Sequence, residues 1–450
     1  MRKYIITIVL FGCFSIHYSG LCQNWQALGN GINGLRSMFT DTTTNILYIG
    51  SSYNPLLPIS GFIGWTGTGW DTTINKNPWG NSNGTLCINK YNGEIYIGTD
   101  KLKKWDGSDW ITIQTGSPAV ICNLSVINNE LYVGGGFDSI GGIAANNIAK
   151  WDGITWTALN MPVSSQQGVY AICEYKGEIY FGGNFYNYPP STDTLGDIIR
   201  YDGNNWKSVG GGLHGGMSEV VSMVVYKNEL YVAGTFTKSG GNVGNYIQKW
   251  DGTQWSEVGG GVMGINGSNG QIWDIMVYND KLYAAGYFTS AGEVPAQYIA
   301  AWDSTKWCGL GSIFNSSVKY LEVLNGMLYI GGAFSNIDGY PMYHIAKWTG
   351  GNYVDTCGNT SSINEVINKE NDITVFPNPS NGAFQIANSK EQILKVEIYN
   401  MLGKEVYSAI PKTTAGTNDA DIDLSGMPAG VYMLKVHAGK GVYVGKVVKE

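Results

Sequence analysis

The chain has 450 residues, among them 63 glycines, 29 tyrosines and 15 tryptophans, and only 14% are charged. Its formal net charge is −7 with no long basic run, which excludes the positive surface that sequence-independent nucleic-acid binding needs to displace counterions. Glycine enrichment beside many aromatics, without a collagen-like period, predicts an all-β protein of short strands joined by tight turns.

At the N-terminus, Arg2 and Lys3 precede an apolar stretch, residues 4–14, that is too short to span a bilayer. Residues 1–22 therefore read as an export signal, cleaved before Gln23. Lipidation through Cys13 or Cys22 is the alternative. Cys13 comes early for it, and Leu21 is bulky for the position before Cys22. No later run is long enough for a transmembrane span, so none is expected after signal removal. Downstream stand Cys87, Cys122, Cys173, Cys308 and Cys357, with no C-x-x-C pair and hence no zinc or thioredoxin-like motif. The first three occupy similar places in successive repeats and read as small buried apolar residues. Cys308 and Cys357 fall in the last two repeats and are a candidate disulfide in an oxidising compartment.

Between these ends the chain repeats itself. An apolar–Tyr–small motif recurs at Tyr48, Tyr96, Tyr132, Tyr180, Tyr231, Tyr283 and Tyr329, at a mean spacing of about 47 residues, within the range of propeller blades. Each copy is followed by an aromatic pair: Trp65/Trp70, Trp105/Trp110, Trp151/Trp156, Tyr201/Trp206, Trp250/Trp255, Trp302/Trp307 and Trp348/Tyr353. Residues 169–211 show how one repeat divides. AICEY is a first strand, Lys176-Gly177 a turn, and Ile179 to Gly183 a second strand. A longer loop leads to a third strand, Ile198 to Tyr201, and Asp202-Gly203 turns into a fourth, Trp206 to Val209. Four antiparallel strands make one blade, which must stack on neighbours to bury its faces. The repeated Tyr and Trp residues are expected between blades.

Trp25 to Gly29 resembles the fourth strand Trp255 to Gly259 but precedes any first strand. It is expected to complete the last blade and close the ring. The seventh repeat also carries a fourth-strand candidate, Tyr353 to Cys357, so seven blades are expected with eight as the alternative. Over residues 25–357 the pattern resembles kelch-type propellers. That resemblance implies a fold and no activity.

Composition shifts after Cys357. Residues 358–372 read as a polar linker, and residues 373–450 as about seven further strands of a small immunoglobulin-like β-sandwich. Phe376-Pro377-Asn378-Pro379 with Gly382, the Gly403 turn, and Gly430 with Tyr432 follow in order to Lys449. Together they resemble the type A C-terminal sorting domain of the Bacteroidetes type IX secretion system. The resemblance implies export through the periplasm to the medium or the outer surface. It implies two partners, the type IX machinery and a sortase-like processing enzyme.

Catalytic signals are sparse. His214, His344 and His437 have no partner at metal-ligand spacing, and most aspartates sit in Asp-Gly turns. No catalytic residue, metal or cofactor is assigned. Three aromatic departures from the repeat read as candidate binding loops: Trp79, then Tyr186 with Tyr188, then Tyr340 with Tyr343. They fit a non-catalytic module for a glycan or protein ligand. The alternative is an extracellular polysaccharide hydrolase or lyase with its site at the propeller mouth.

Overall fold

A computed structural model describes residues 25–52, 61–74, 84–113, 120–162, 168–185, 196–239, 242–264, 269–349, 373–388, 393–400, 405–410, 420–438 and 441–450. Every regular element among them is a β-strand. The chain divides into two compact units, Met1–Gly358 and Asn359–Glu450.

Among its described residues the first unit holds seven four-stranded antiparallel sheets, here sheets I to VII. Their first strands are Leu35–Asp41, Cys87–Tyr91, Val120–Ile127, Val169–Tyr175, Val220–Tyr226, Gln271–Tyr278 and Val318–Leu324. Sheets I to VI are meanders in chain order. In sheet VII the outer strand is Trp25–Ala27, which pairs with Ile345–Trp348 in a register that sets Trp25 opposite Trp348. Each first strand packs beside the first strand of the next sheet, and the seventh packs beside the first. The result is a closed, propeller-like ring with the first strands around its axis.

The repeated aromatics hold neighbouring sheets together, as their spacing predicts. Trp206 Nε1 donates to Leu159 O at 3.2 Å, Trp255 to Val209 O at 3.0 Å and Trp307 to Val258 O at 2.8 Å, each acceptor lying one repeat earlier. Trp250 Nε1 reaches back to Tyr180 Oη at 3.2 Å. Paired rings such as Trp250/Trp255 and Trp302/Trp307 stand 5.1 and 5.4 Å apart, a favourable tilted packing. The Asp-Gly turns cap themselves: Asp202 Oδ1 accepts from the Asn204 and Asn205 amides at 2.9 and 2.7 Å.

One part departs from the expected open loops. Between second and third strands, sheets III, V, VI and VII carry small hairpins, such as Ser139–Ile140 with Ile143–Ala144 and Asn336–Ile337 with Tyr340–Pro341. In sheets V and VI the incoming connection adds a third strand, so that Leu213–His214 and Val262–Met263 are strands as well. A phenylalanine just after each second strand, Phe137, Phe236, Phe288 or Phe334, is buried and fastens its hairpin down.

The second unit has two antiparallel sheets. One runs Ile373–Phe376, Ala383–Asn388, Ala420–Asp423, and the other runs Glu405–Ala409, Ile393–Tyr399, Gly430–Ala438, Gly441–Lys449. Phe384, Ile386, Val396, Ile398, Leu434 and Val436 form its core. The motif residues fix its ends. Asn378 Oδ1 accepts from Val448 N at 2.8 Å, and Tyr432 Oη donates to Pro428 O at 2.7 Å. Gly382 has φ +119°, and a Cβ there would meet Ser425 N and Cα at 2.8 Å.

Candidate binding site at the channel mouth

A β-bulge recurs in the innermost strand of six sheets. Pairing with the second strand skips one residue between Leu35 and Ser37, Ile121 and Asn123, Val169 and Ala171, Val220 and Ser222, Ile272 and Asp274, and Val318 and Tyr320. The skipped residues are Arg36, Cys122, Tyr170, Val221, Trp273 and Lys319. Bulges re-aim a side chain out of the regular alternation and gather at the rims of functional sites. Glycines opposite make room for them. A Cβ at Gly183 would stand 1.8 Å from Gly168 O, one at Gly234 1.8 Å from Glu219 O, and one at Gly286 1.9 Å from Gln271 O. In these three sheets the glycine near the end of the second strand leaves room for the carbonyl two residues before the skipped one.

Each skipped residue stands near the start of its first strand, opposite the end of the second strand that leads into the two–three connection, so the six share one end of the ring. Lys319 Nζ stands 5.0 Å from the centre of the Trp273 ring, a cation–π contact between sheets VI and VII. Burial pushes the Tyr320 phenol up to about 12, with the Arg36 guanidinium partly opposing that shift. The Tyr170 phenol, also pushed up to about 12 by burial, faces the Cys122 thiol and Glu219. Arg36 Nε donates to Ser52 Oγ at 3.3 Å. Neither Arg36 nor Lys319 forms an ion pair with a described residue.

Below the mouth a polar belt joins sheet to sheet. Ser37 Oγ donates to Thr85 O at 3.0 Å, Asn89 Nδ2 to Leu124 O at 2.8 Å and Asn123 Nδ2 to Tyr170 O at 3.1 Å. Two carboxyls continue it. Asp274 accepts from Ser222 Oγ at 3.1 Å and from Leu321 N at 2.8 Å, so it ties sheets V, VI and VII. Glu322 faces Thr40 of sheet I. Burial pushes both up to about 7, and Asp274 repels the charge on Glu322. Cys122 and Cys173 also line this wall, with thiols pushed up to about 11 by burial, and Cys87 is raised well above its usual value. Such thiols are poor nucleophiles at neutral pH. All three are free and half-buried.

Of the loop aromatics singled out in the sequence, only Tyr340 and Tyr343 are described. Trp79, Tyr186 and Tyr188 fall outside the described residues. Tyr340 and Tyr343 are 36% and 49% exposed. Tyr343 also supports the ring closure: its carbonyl accepts from Ile32 N at 3.1 Å, and it packs so close to Gly31 that a Cβ there would meet Tyr343 Cβ at 2.1 Å. Cys308 is disulfide-bonded, to a partner outside the described residues. Gly403 and Cys357 are outside them too. Of the sorting motif, Phe376 is 47% exposed, while Gly382 and Tyr432 are buried. Among the described residues no cluster of three or more His, Cys, Asp or Glu could hold a metal ion, and no helix is long and apolar enough to cross a membrane.

Residues 374–450 match the family model described as the secretion system C-terminal sorting domain. No curated protein matches the sequence. Solved structures give remote similarity. The computationally designed Ika8 protein is 11% identical over 94% of this chain and 98% of its own, with a TM-score of 0.40. Raptor from Chaetomium thermophilum is 11% identical over 74% of this chain and 29% of its own, at 0.44. YCF48 from Cyanidioschyzon merolae is 12% identical over 72% of this chain and 99% of its own, at 0.42. The C-terminal unit is a sorting domain, and it marks the chain for export by the type IX route, to the medium or the cell surface.

Proposed function

We propose that this is a Bacteroidetes-type secreted or surface protein whose propeller, residues 23–357, is a seven-bladed, kelch-like recognition module for a glycan or protein. Residues 1–22 act as its export signal. A linker, residues 358–372, leads to an immunoglobulin-like sorting domain that the type IX machinery reads and a sortase-like enzyme processes. The observation that carries the recognition role is the mouth, where aromatic and cationic side chains from separate sheets are turned toward one axis. Tyr340 and Tyr343, both exposed in or beside the two–three hairpin of sheet VII, are proposed as outer contacts.

One observation favours the enzymatic reading: two wall carboxyls whose pKa values lie near 7 suit general acid–base work. Yet both oxygens of Asp274 are engaged by Ser222 and Leu321. Its geometry is that of a staple between blades, and recognition is the better reading.

The export role is tested by removing residues 374–450 from the full chain in a host with the type IX system. The truncated protein is expected to remain in the periplasm. Its appearance outside the cell at wild-type level would sink the sorting assignment. The disulfide of Cys308 is assigned to Cys357, which would fasten the end of the propeller to sheet VI. Non-reducing digestion and mass spectrometry should yield one peptide pair holding both residues, and a Cys308 peptide joined to any other cysteine overturns that pairing.

A further inference from the structure

The cations at the mouth are placed asymmetrically. Arg36, Trp273, Lys319 and Tyr320 come from sheets VI, VII and I. Glu219 lies by Tyr170 at the seam of sheets IV and V. There it repels Asp197, which accepts from Phe185 N at 3.0 Å and from Ser218 Oγ. The remaining re-aimed residues, Cys122 and Val221, carry no charge. A chain with net charge −7 thus concentrates two cations free of ion pairs with described residues at one side of its axial opening. Trp273 holds one of them, Lys319, over its ring.

We infer that this side of the mouth binds the carboxylate of a uronic-acid residue in an acidic polysaccharide, with Arg36 and Lys319 as its cationic partners. The guanidinium offers a planar fork that matches a carboxylate, and the ammonium supplies a second, point-like charge. Trp273 acts as a positioning residue for Lys319. The phenols of Tyr320 and Tyr170 are too weakly acidic here to lose their protons near neutral pH, so they offer flat rings and hydroxyl donors suited to a sugar. The acidic side at Glu219 repels the same carboxylate and so fixes how an acidic chain lies across the opening. The inference rests on the recognition role proposed above and narrows it to one ligand class.

The full chain is titrated calorimetrically with galacturonate and mannuronate hexamers, with neutral cellohexaose, and with hexaglutamate as an acidic peptide. Reducing-end release is followed in parallel. Uronate hexamers are expected to bind, more weakly as salt is raised. Arg36→Ala and Lys319→Ala are each expected to weaken binding by about tenfold or more, from the size of a charge-assisted hydrogen bond. Arg36 is exposed and Lys319 half-buried, so the variants should melt close to wild type. Trp273→Phe, which keeps a ring beneath Lys319, should bind better than Trp273→Ala.

Uronate affinity unchanged in the Arg36→Ala, Lys319→Ala double variant would overturn the site. Hexaglutamate binding as tightly as the uronates would overturn the sugar assignment. Cellohexaose binding without uronate binding would overturn the acidic ligand while leaving a recognition module. Silence from every probe overturns this inference and moves the broader role to protein partners. Sugar release lost in the double variant supports the site while overturning the non-catalytic role.

Discussion

Replacing Trp25 with alanine is expected to lower the melting temperature of the chain by about 5–10 °C, because it opens the ring at its one non-sequential sheet. Trp25 is 1% exposed. Its ring stands 4.7 Å from Trp348 and 5.9 Å from Phe314, and its Nε1 donates to Ser312 Oγ at 3.0 Å. Its strand adds the outer edge of sheet VII, whose other three strands come from the far end of the propeller sequence. Truncating a buried tryptophan costs about 3–5 kcal/mol through lost contacts and the cavity left behind. Here the same change also loosens the strand pairing that ties the N-terminal strand to the last sheet. Trp25→Phe keeps most of the packing and forfeits the Ser312 bond, for about 1 kcal/mol. Ile154→Ala, at a side chain 84% exposed, is the control and should melt like wild type. A Trp25→Ala protein that melts with the wild type would refute closure by this strand.

The second large effect is on pH. Burial holds Asp274, Glu322 and Asp197 up at about 7, against the usual carboxyl value near 4. An acid raised on folding stabilises the native state fully below its unfolded pKa. That contribution is lost as pH rises through the folded pKa, because the buried form must then ionise. These three groups therefore favour the fold below about pH 4 and cease to do so between there and about pH 7.

Other carboxyls act in the opposite direction. Asp41 is pushed upward by burial, but Lys90 at 2.7 Å with Thr43 and Thr44 more than offsets this and holds it at about 2. Hydrogen bonds from Thr253 and Gln254 hold Asp251 at about 2. The stability that such groups give is present above pH 4 and lost as pH falls toward 2. Maximum stability is thus expected near pH 5, with a melting temperature about 5 °C or more above that at pH 8. This takes roughly 1–2 kcal/mol per raised group, after allowance for water in the channel.

Around the wall pair, the facing groups are Ser222, the Ile275 and Leu321 amides and Tyr320 for Asp274, and Thr40 and the Val323 amide for Glu322. None of these brings a compensating cation. Asp197 holds the place that Asn147 holds one repeat earlier, where Asn147 Oδ1 accepts from Phe137 N at 3.1 Å. The Glu322→Gln, Asp197→Asn double variant should therefore gain several degrees at pH 8 and little at pH 5, as scanning calorimetry would read. Equal wild-type melts at pH 5 and pH 8 would show that these carboxyls ionise without cost.

Much of this molecule is legible in its sequence because its stabilising contacts are periodic. Tyrosines about 47 residues apart and Asp-Gly turns before the fourth strands place the sheets, since every blade must bury the same faces against its neighbours. The likeness of Trp25 to Trp255 pointed to where the N-terminal strand pairs, but the sequence offered Tyr353 to Cys357 for the same edge, and only the pairing of Trp25 with Trp348 shows that the N-terminal strand takes it. The tail could be read from ordered motifs in the same way.

The mouth could not be read so. Arg36, Tyr170, Trp273 and Lys319 share no residue type, and they differ from the ordinary strand positions beside them only by a bulge. The glycines opposite hinted at it, but glycine also makes turns, and only the pairing register tells the two uses apart. Asp274 and Glu322 lie in different repeats, and each looks like a solvated strand residue until ring closure half-buries it against the next sheet. Local sequence specifies the strands and their faces. Which unlike side chains converge on the axis is decided by tertiary structure, because only the closed ring brings the first strands together and shuts water out between them.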